Sequence, residues 1–303
     1  MFRTLLFIPG NNKKFLDKSK SLSPDIICYD LEDSVPVSEK EEARKMVLQT
    51  ISSNPSTQIK DSTVNLMDKD SLIFVRINSF ESGFYENDLK SIISKGLDGI
   101  VIPKVNTVEE LHRIIKTIET IEKKINLDKL KIIPSIESSL GVVNSYHIAA
   151  SDSRVVALVF GVFDFLYDMK LDYVEKDGLE YSYARSKIPV DARAAGISAL
   201  DSIWQKVDDI DGLMKDATIA KRFGYAGKTI IHPKHIQPVH EVFVPSKNEI
   251  DWANKVISIF EQVEQKGYKR GALKIEGKMI DAVHLKQAKL ILDSLKNNND
   301  STM

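Results

Sequence analysis

The chain has a single cysteine, Cys28, among 303 residues, so no intrachain disulfide is available and a reducing compartment is the expectation. Cys28 sits inside an apolar stretch, which favours a packed core thiol over a nucleophile. Net charge is nearly absent: 42 Lys and Arg balance 43 Asp and Glu. No global field therefore draws the chain to nucleic acid or to an anionic membrane surface. No apolar run approaches the ~18 residues of a spanning helix. The N-terminus enters strand-like sequence at once and offers no signal peptide, so the expected location is cytoplasmic. His and Cys are nowhere grouped at zinc-site spacing. There is no internal repeat, and the only low-complexity block is the polar tail NNNDSTM.

What the chain does have is short apolar runs, eight of them, most closed by a charged or polar residue. The clearest are LLFIPG (5–10), IICYDLED (26–33), LIFVRIN (72–78), IIPSIES (132–138) and VVALVFGVFD (155–164). Strands are expected at 5–8, 26–29, 72–77, 99–102, 131–135, 155–160, 197–200 and 229–231, with helical patterns between them. Ser38 and Thr107 are expected as N-caps, Gly96 as a C-cap signal, and Pro189 as a kink or break. Strands alternating with helices argue for a parallel sheet, and eight of them favour closure into a (β/α)8 TIM barrel. Beyond Ser246 the pattern becomes helix, short hairpin bending at Gly277, helix. The expected organisation is a catalytic barrel over 1–246, a C-terminal helix–hairpin–helix lid or oligomerisation segment over 247–296, and a disordered tail over 297–303. The polar stretch 53–70 reads as an exposed loop or insertion.

Strands that leave charge at their C-terminal ends build the active site of such a barrel. Here they leave Asp30, Glu32, Asp33, Arg76, Glu137 and Asp164. Glu137 and Asp164 follow neighbouring strands, and two carboxylates with waters suit Mg²⁺. The plainer alternative makes both of them helix N-caps. Asp30, Glu32 and Asp33 crowd like charge, which calls for a cation or a donor nearby. They either hold the water of a bound metal or form a solvated acidic loop. Arg76 fits a substrate carboxylate or an enolate oxygen, or an ion pair with one of the acids. His232 is either a general base or a structural residue beside Pro233, and the glycines of GYAGKTIIHP serve a turn rather than a phosphate cradle. Asp281 is a surface residue unless the appendage folds over a barrel mouth, its own or a neighbour's.

In order along the chain stand RTLLFIPGNN, DLEDSVPVSEKEEAR, VRIN, GIVIPKV, IPSIESSLGVVN, FGVFDF, ARAAGISALDS, GYAGKTIIHPKHI, FVPS and EGKMID. This set resembles the citrate lyase β-subunit/malyl-CoA lyase family, the CitE-like branch of the HpcH/HpaI aldolase superfamily, over nearly the whole chain. The resemblance implies a Mg²⁺-dependent lyase that cleaves or forms a carbon–carbon bond between an acyl-CoA thioester and a 2-oxo acid. It implies Glu137 and Asp164 as metal ligands, with Glu32 and Asp33 behind them. Arg76 would stabilise enolate charge, with Arg3 and Glu137 beside it in substrate binding. Asp281 would be the catalytic acid–base of the lid, reaching a neighbouring subunit in many members, which implies a homo-oligomer, trimer or hexamer. Lys14 and Lys228 become candidates for CoA phosphates. Two alternatives stay open: a CoA-free 2-oxo acid aldolase, and a citrate lyase β-subunit that needs a carrier protein. Phe163, Glu276, Pro189 and the 53–70 stretch depart from the family pattern and leave the substrate open.

Overall fold

The computed structural model describes residues 2–53, 71–172, 178–265, 273–275 and 278–299. The 53–70 insertion lies, apart from Ser53, outside them. Eight parallel strands close into a barrel in sequence order: β1 (Thr4–Pro9), β2 (Ile26–Asp30), β3 (Leu72–Arg76), β4 (Gly99–Ile102), β5 (Lys131–Ile136), β6 (Ala157–Phe160), β7 (Ser198–Asp201) and β8 (Gly227–Ile230). Closure is made by β8 on β1, with Thr4 beside Lys228 and Leu5 beside Thr229. Every expected strand falls on one of these eight.

Side-chain alternation sorts each strand into two faces. Leu5, Ile26, Cys28, Leu72, Phe74, Val101, Ile133, Val159 and Leu200 fill the barrel interior. Their neighbours Leu6, Ile27, Tyr29, Ile73, Val75, Ile100, Ile132 and Leu158 pack outward under the helices. Both faces are buried, so the strands read as continuous apolar runs rather than alternating ones. Cys28 is fully buried in the inner layer, and burial pushes its thiol well above the usual range. It is a core residue.

The helices outside the strands are α1 (Lys13–Ser19), α2 (Lys40–Ser52), α3 (Tyr85–Ile92), α4 (Val108–Ile125), α5 (Ser139–Ala150), α6 (Val162–Asp168), α7 (Ser182–Ala194), α8 (Ile210–Phe223) and α9 (Ile236–Phe243). Thr107 caps α4 in a full capping box with Glu110. Ser38 does not cap α2. It lies inside a 3₁₀ turn, Val37–Glu39, that leads into that helix. Helix α7 continues past Pro189, which neither ends nor breaks it. Ile188 and Ala192, both fully buried, fix the helix on either side, and tertiary packing outweighs the local cost of about 3 kcal/mol.

The chain divides into two compact units, Met1–Phe243 and Val244–Met303. The second carries α10 (Lys247–Gln265), the antiparallel pair β9 (Leu273–Ile275) and β10 (Lys278–Ile280), and α11 (Ala282–Asn299). Its own small core contains Ala253, Val256, Phe260, Ile280, Leu285 and Ala288. Gly277, expected at the hairpin bend, lies outside the described residues. Helix α11 continues to Asn299, three residues into the segment expected to be a disordered tail.

Candidate active site

Alternation that places Cys28 and Phe74 inside the barrel also turns Asp30 and Arg76 inward, two residues further along. The two are register partners on β2 and β3. Arg76 donates from Nε and Nη2 to the two Asp30 oxygens, each at 2.7 Å. Its Nη1 lies 3.1 Å from Glu32 Oε2, and its guanidinium covers the Phe7 ring at 4.6 Å. Asp30 also accepts from the backbone N–H groups of Glu32 and Ser34, which folds the acidic loop around it. Behind that loop, Lys40 is buried and donates to the carbonyls of Leu31 and Glu32 at 2.8 and 3.0 Å. Burial acts to raise the Asp30 pKa, but Arg76 holds it below the ordinary carboxylate value.

Glu137 follows β5 at the next inward register. Ser138, not Glu137, caps α5. Gly161, not Asp164, occupies the N-cap of α6, and Asp164 projects from the first turn of that helix. The helix-cap alternative therefore fails for both acids. Glu137 Oε2 is buried with no hydrogen-bond partner, as is Ser135 Oγ one inward step below it. Gly161 makes room for Glu137, since a Cβ there would lie 2.4 Å from its Cγ and 2.8 Å from its Oε1.

Lys104 joins the acids from the other side. Its Nζ lies 2.9 Å from Glu32, 3.2 Å from Asp33 and 3.4 Å from Asp164. Both Glu32 oxygens thus sit within ion-pair reach of a cation, although neither meets a donor at hydrogen-bonding angles. Lys104 adopts φ +54, a left-handed conformation that a lysine rarely takes. Its place after β4 is the same strand-end signal that marked Arg76 and Glu137, yet GIVIPKV alone assigned it no role. Lys40 and Gly161 are further supporting residues that the sequence did not single out. A lysine in an acid-rich first turn reads as solvated, and Gly161 has no side chain to attract notice.

Asp30, Asp33, Arg76, Ser135, Glu137 and Asp164 line one side of a cavity of about 490 Å³ at the C-terminal mouth of the barrel. Burial, reinforced by the Glu32 and Asp164 charges, pushes Glu137 up to about 8 against the pull of Arg76 and Lys104. Burial likewise pushes Glu32 up to about 7, again opposed by Arg76. These raised groups give the folded, cation-free chain more bound protons than the unfolded chain from the ordinary carboxylate range to about pH 8. Stability conferred by those protons is lost as pH rises through the folded pKa values. The depressed Asp30 titrates below that window. The thermal midpoint of the cation-free protein is expected to fall between about pH 5 and about pH 8. A midpoint that rises across that interval in a metal-free buffer series would contradict the assignment.

Arg3 and Lys228 are placed elsewhere. Arg3 precedes β1 and so lies at the N-terminal rim, at the opposite end from the acids. There it pairs with Asp25 at 3.1 Å, and its carbonyl accepts from the Lys228 N–H. The expectation that Arg3 binds substrate is therefore corrected: strand direction puts it on the wrong face. Lys228 is also corrected. It belongs to β8, points outward, is fully buried, and joins Asp201, Asp216 and Arg185 in a balanced ion network beneath α7 and α8. No phosphate can reach it there. Lys14 is exposed on α1. His232 accepts from the Lys234 N–H and opens the 3₁₀ turn Pro233–His235, a structural role. Asp281 stands just before α11 in the second unit, with its carboxylate 2.8 Å from His284 Nδ1 and accepting from the Val283 N–H. That hydrogen bond to His284, a partner the sequence did not suggest, keeps it below the ordinary value.

A closed parallel barrel with buried acids and one arginine gathered at the strand C-termini defines the class: a (β/α)8-barrel enzyme. The HpcH/HpaI aldolase/citrate lyase family pattern matches residues 3–233, and the chain belongs to that family. It is 33% identical to citrate lyase subunit beta of Leuconostoc mesenteroides subsp. cremoris over 302 residues, covering 98% of this chain and 94% of that protein. It is 32% identical to human mitochondrial citramalyl-CoA lyase over 297 residues, covering 94% and 83%. Among solved structures, the CitE protein of Mycobacterium tuberculosis in complex with magnesium, acetoacetate and coenzyme A superposes with a TM-score of 0.75. That match is 23% identical and covers 96% of this chain and 97% of that one, so it supports the fold.

Proposed function

We propose that the chain is a Mg²⁺-dependent carbon–carbon lyase that splits, or forms, a malyl-CoA or citryl-CoA type thioester from an acyl-CoA and a 2-oxo acid. The observation that carries this is the unpartnered, buried Glu137 oxygen in an acid-lined cavity, in a chain whose relatives are named lyases. The donors suit magnesium: they are all oxygen, rich in carboxylate, and destabilised by mutual repulsion until a cation arrives. Among the described residues no three His, Cys, Asp or Glu side chains converge as a complete cage. Two protein carboxylates with water and substrate making up the rest is the usual way Mg²⁺ is held. Glu137 and Asp164 would hold it, with Glu32 and Asp33 behind. Bound there, the ion supplies Lewis-acid polarisation of the 2-oxo carbonyl.

The remaining work falls to the chain's own side chains. In the condensing direction the family resemblance supplies Asp281, of this subunit or of a neighbouring copy, as the base that takes a proton from the methyl carbon of the acyl thioester, leaving an enolate. Arg76 has N–H groups beyond those given to Asp30 and Glu32, and these stabilise the enolate oxygen. The enolate carbon then attacks the 2-oxo carbon, forming the new carbon–carbon bond as the carbonyl π pair moves onto its oxygen, which takes a proton from solvent to become the product hydroxyl. In cleavage the hydroxyl gives its proton to solvent and reforms the 2-oxo carbonyl, the carbon–carbon bond breaks with its electrons passing to the thioester enolate, and Asp281 returns the proton to the methyl carbon. His284 holds the Asp281 carboxylate ionised and ready to accept.

Resemblance to a citrate lyase β-subunit keeps a carrier-dependent version in view. Purified chain incubated with malyl-CoA and citryl-CoA, with and without Mg²⁺, decides the matter. Metal-dependent release of acyl-CoA without a partner is the expected result. Activity confined to CoA-free 2-oxo acids would replace the reading with an aldolase, and activity only after adding a carrier protein would replace it with the β-subunit. Gly161→Ala is expected to push Glu137 aside and to weaken both Mg²⁺ affinity and turnover by roughly 10–100-fold. A calorimetric Mg²⁺ titration that matches wild type would remove Glu137 from the metal site.

A homo-oligomer belongs to the same proposal. Leu140 and Val143 on α5 are 51% and 67% exposed, and Tyr183 and Val190 on α7 are 69% and 63%. Two contacting helices with apolar outer faces favour burial against another subunit. A cytoplasmic setting is supported by the lone buried thiol. No helix among the described residues is long and apolar enough to cross a membrane.

A further inference from the structure

The two carboxylates assigned to the ion come from different segments, so their spacing depends on what ties those segments together. Glu137 stands between Ile136, the last residue of β5, and Ser139, the first residue of α5. Asp164 stands between Gly161, the N-cap of α6, and Asp168, the last residue of that helix. A hydrogen bond joins the two segments on each side of the acid pair. The Gly161 N–H donates to the Ile136 carbonyl at 3.0 Å. The Ser139 N–H donates to Asp168 Oδ2 at 2.7 Å.

Helix α6 does not itself explain the second bond. A carboxylate in the last turn of a helix opposes that helix's own dipole. Asp168 instead meets the N-terminus of α5, where the first N–H groups have no intrahelical partner and negative charge is favoured. Ser138 Oγ accepts from the Gly141 N–H there, and Asp168 accepts from Ser139. That bond holds the Asp168 carboxyl below its ordinary value. Asp168 lies one helical turn beyond Asp164, on the same side of α6. Val162, Phe165 and Leu166 bury another side of the helix in the core. Apolar packing is non-directional and holds the helix down. The directed bond to Ser139 sets where along α5 it sits.

We infer that Asp168 is a positioning residue for the metal pair, and that its hydrogen bond from the Ser139 N–H sets the spacing of Asp164 from Glu137. The inference rests on the reading of those two acids as the metal ligands.

Three variants of the full chain separate the bond from the charge, with Mg²⁺ titrated calorimetrically into each. Asp168→Ala removes both. Ser139→Pro removes the bond from the donor's side and leaves the charge. Proline is accommodated at the first position of a helix, and Ser138 before it is already extended, at φ −140 and ψ 163. Asp168→Asn removes the charge and keeps an acceptor oxygen. The expected result is Mg²⁺ affinity weakened about tenfold in Asp168→Ala and in Ser139→Pro, and within about threefold of wild type in Asp168→Asn. Wild-type affinity in Asp168→Ala or in Ser139→Pro overturns the inference and leaves the metal site standing. Equal losses in Asp168→Asn and Asp168→Ala also overturn it, because the charge and not the bond is then what matters. Where one of the two bond-deleting variants fails to fold, the other decides. No Mg²⁺ binding by the wild type overturns the metal reading, and the inference with it.

Discussion

Asp164→Ala is expected to lower Mg²⁺-dependent turnover by about 10³-fold, the several kcal/mol that a well-placed cation contributes to such a transition state. The fold should hardly notice. The Asp164 side chain is 40% exposed, and its recorded partner is Lys104 at 3.4 Å. With Asp164 gone, Lys104 keeps Glu32 and Asp33, so no buried charge is stranded. An exposed pair of this kind contributes about 0–1 kcal/mol, and the thermal midpoint should move by only a few degrees. Glu137→Gln gives the same loss of turnover with the opposite sign on stability. Removing a buried charge that repels Glu32 and Asp164 should raise the midpoint of the cation-free protein at about pH 8. Kinetics and melting curves on the two variants check both halves. Wild-type turnover in Asp164→Ala would end the metal assignment.

The barrel was legible because its strands are buried on both faces, so each reads as an unbroken apolar run that stops at a charge. The same rule found Asp30, Arg76 and Glu137, whose inward direction follows from Cys28, Phe74 and Ile133 by simple alternation. Where it failed, register or direction was at fault. Strand eight begins at Gly227, two residues before the expected start at Thr229, and Lys228 thereby becomes an outward strand residue sealed under α8. Arg3 stands before its strand rather than after it, and a parallel barrel sends such a residue to the far rim. Lys104 was hidden for another reason. Its approach to three acids depends on a left-handed backbone that no propensity scale favours for lysine. Pro189 shows the reverse case, a strong local signal overruled by packing on α7.

Arg76→Met should cost about 3–5 kcal/mol of stability as well as the activity, the usual penalty for breaking a buried pair from one side. Asp30 is 1% exposed, and the two charged hydrogen bonds from Arg76 are what offset its burial. In the wild type its pKa is depressed, so this stability is present above the unfolded value and lost as pH falls through the folded one. In the variant burial is opposed only by the N–H groups of Glu32 and Ser34, and the sign is expected to reverse. Asp30 then binds a proton more readily folded than unfolded, and the deficit shrinks as the solution is acidified toward about pH 5. Denaturant unfolding at two pH values reads that reversal directly. The double substitution Arg76→Met with Asp30→Asn removes the stranded charge and should recover most of the lost stability, because a buried pair replaced on both sides is often neutral. It should not recover turnover, because the N–H groups assigned to the enolate oxygen are still missing. If the double variant regains activity along with stability, Arg76 serves only to hold Asp30, and the charge on the enolate must be met by some other donor in the cavity.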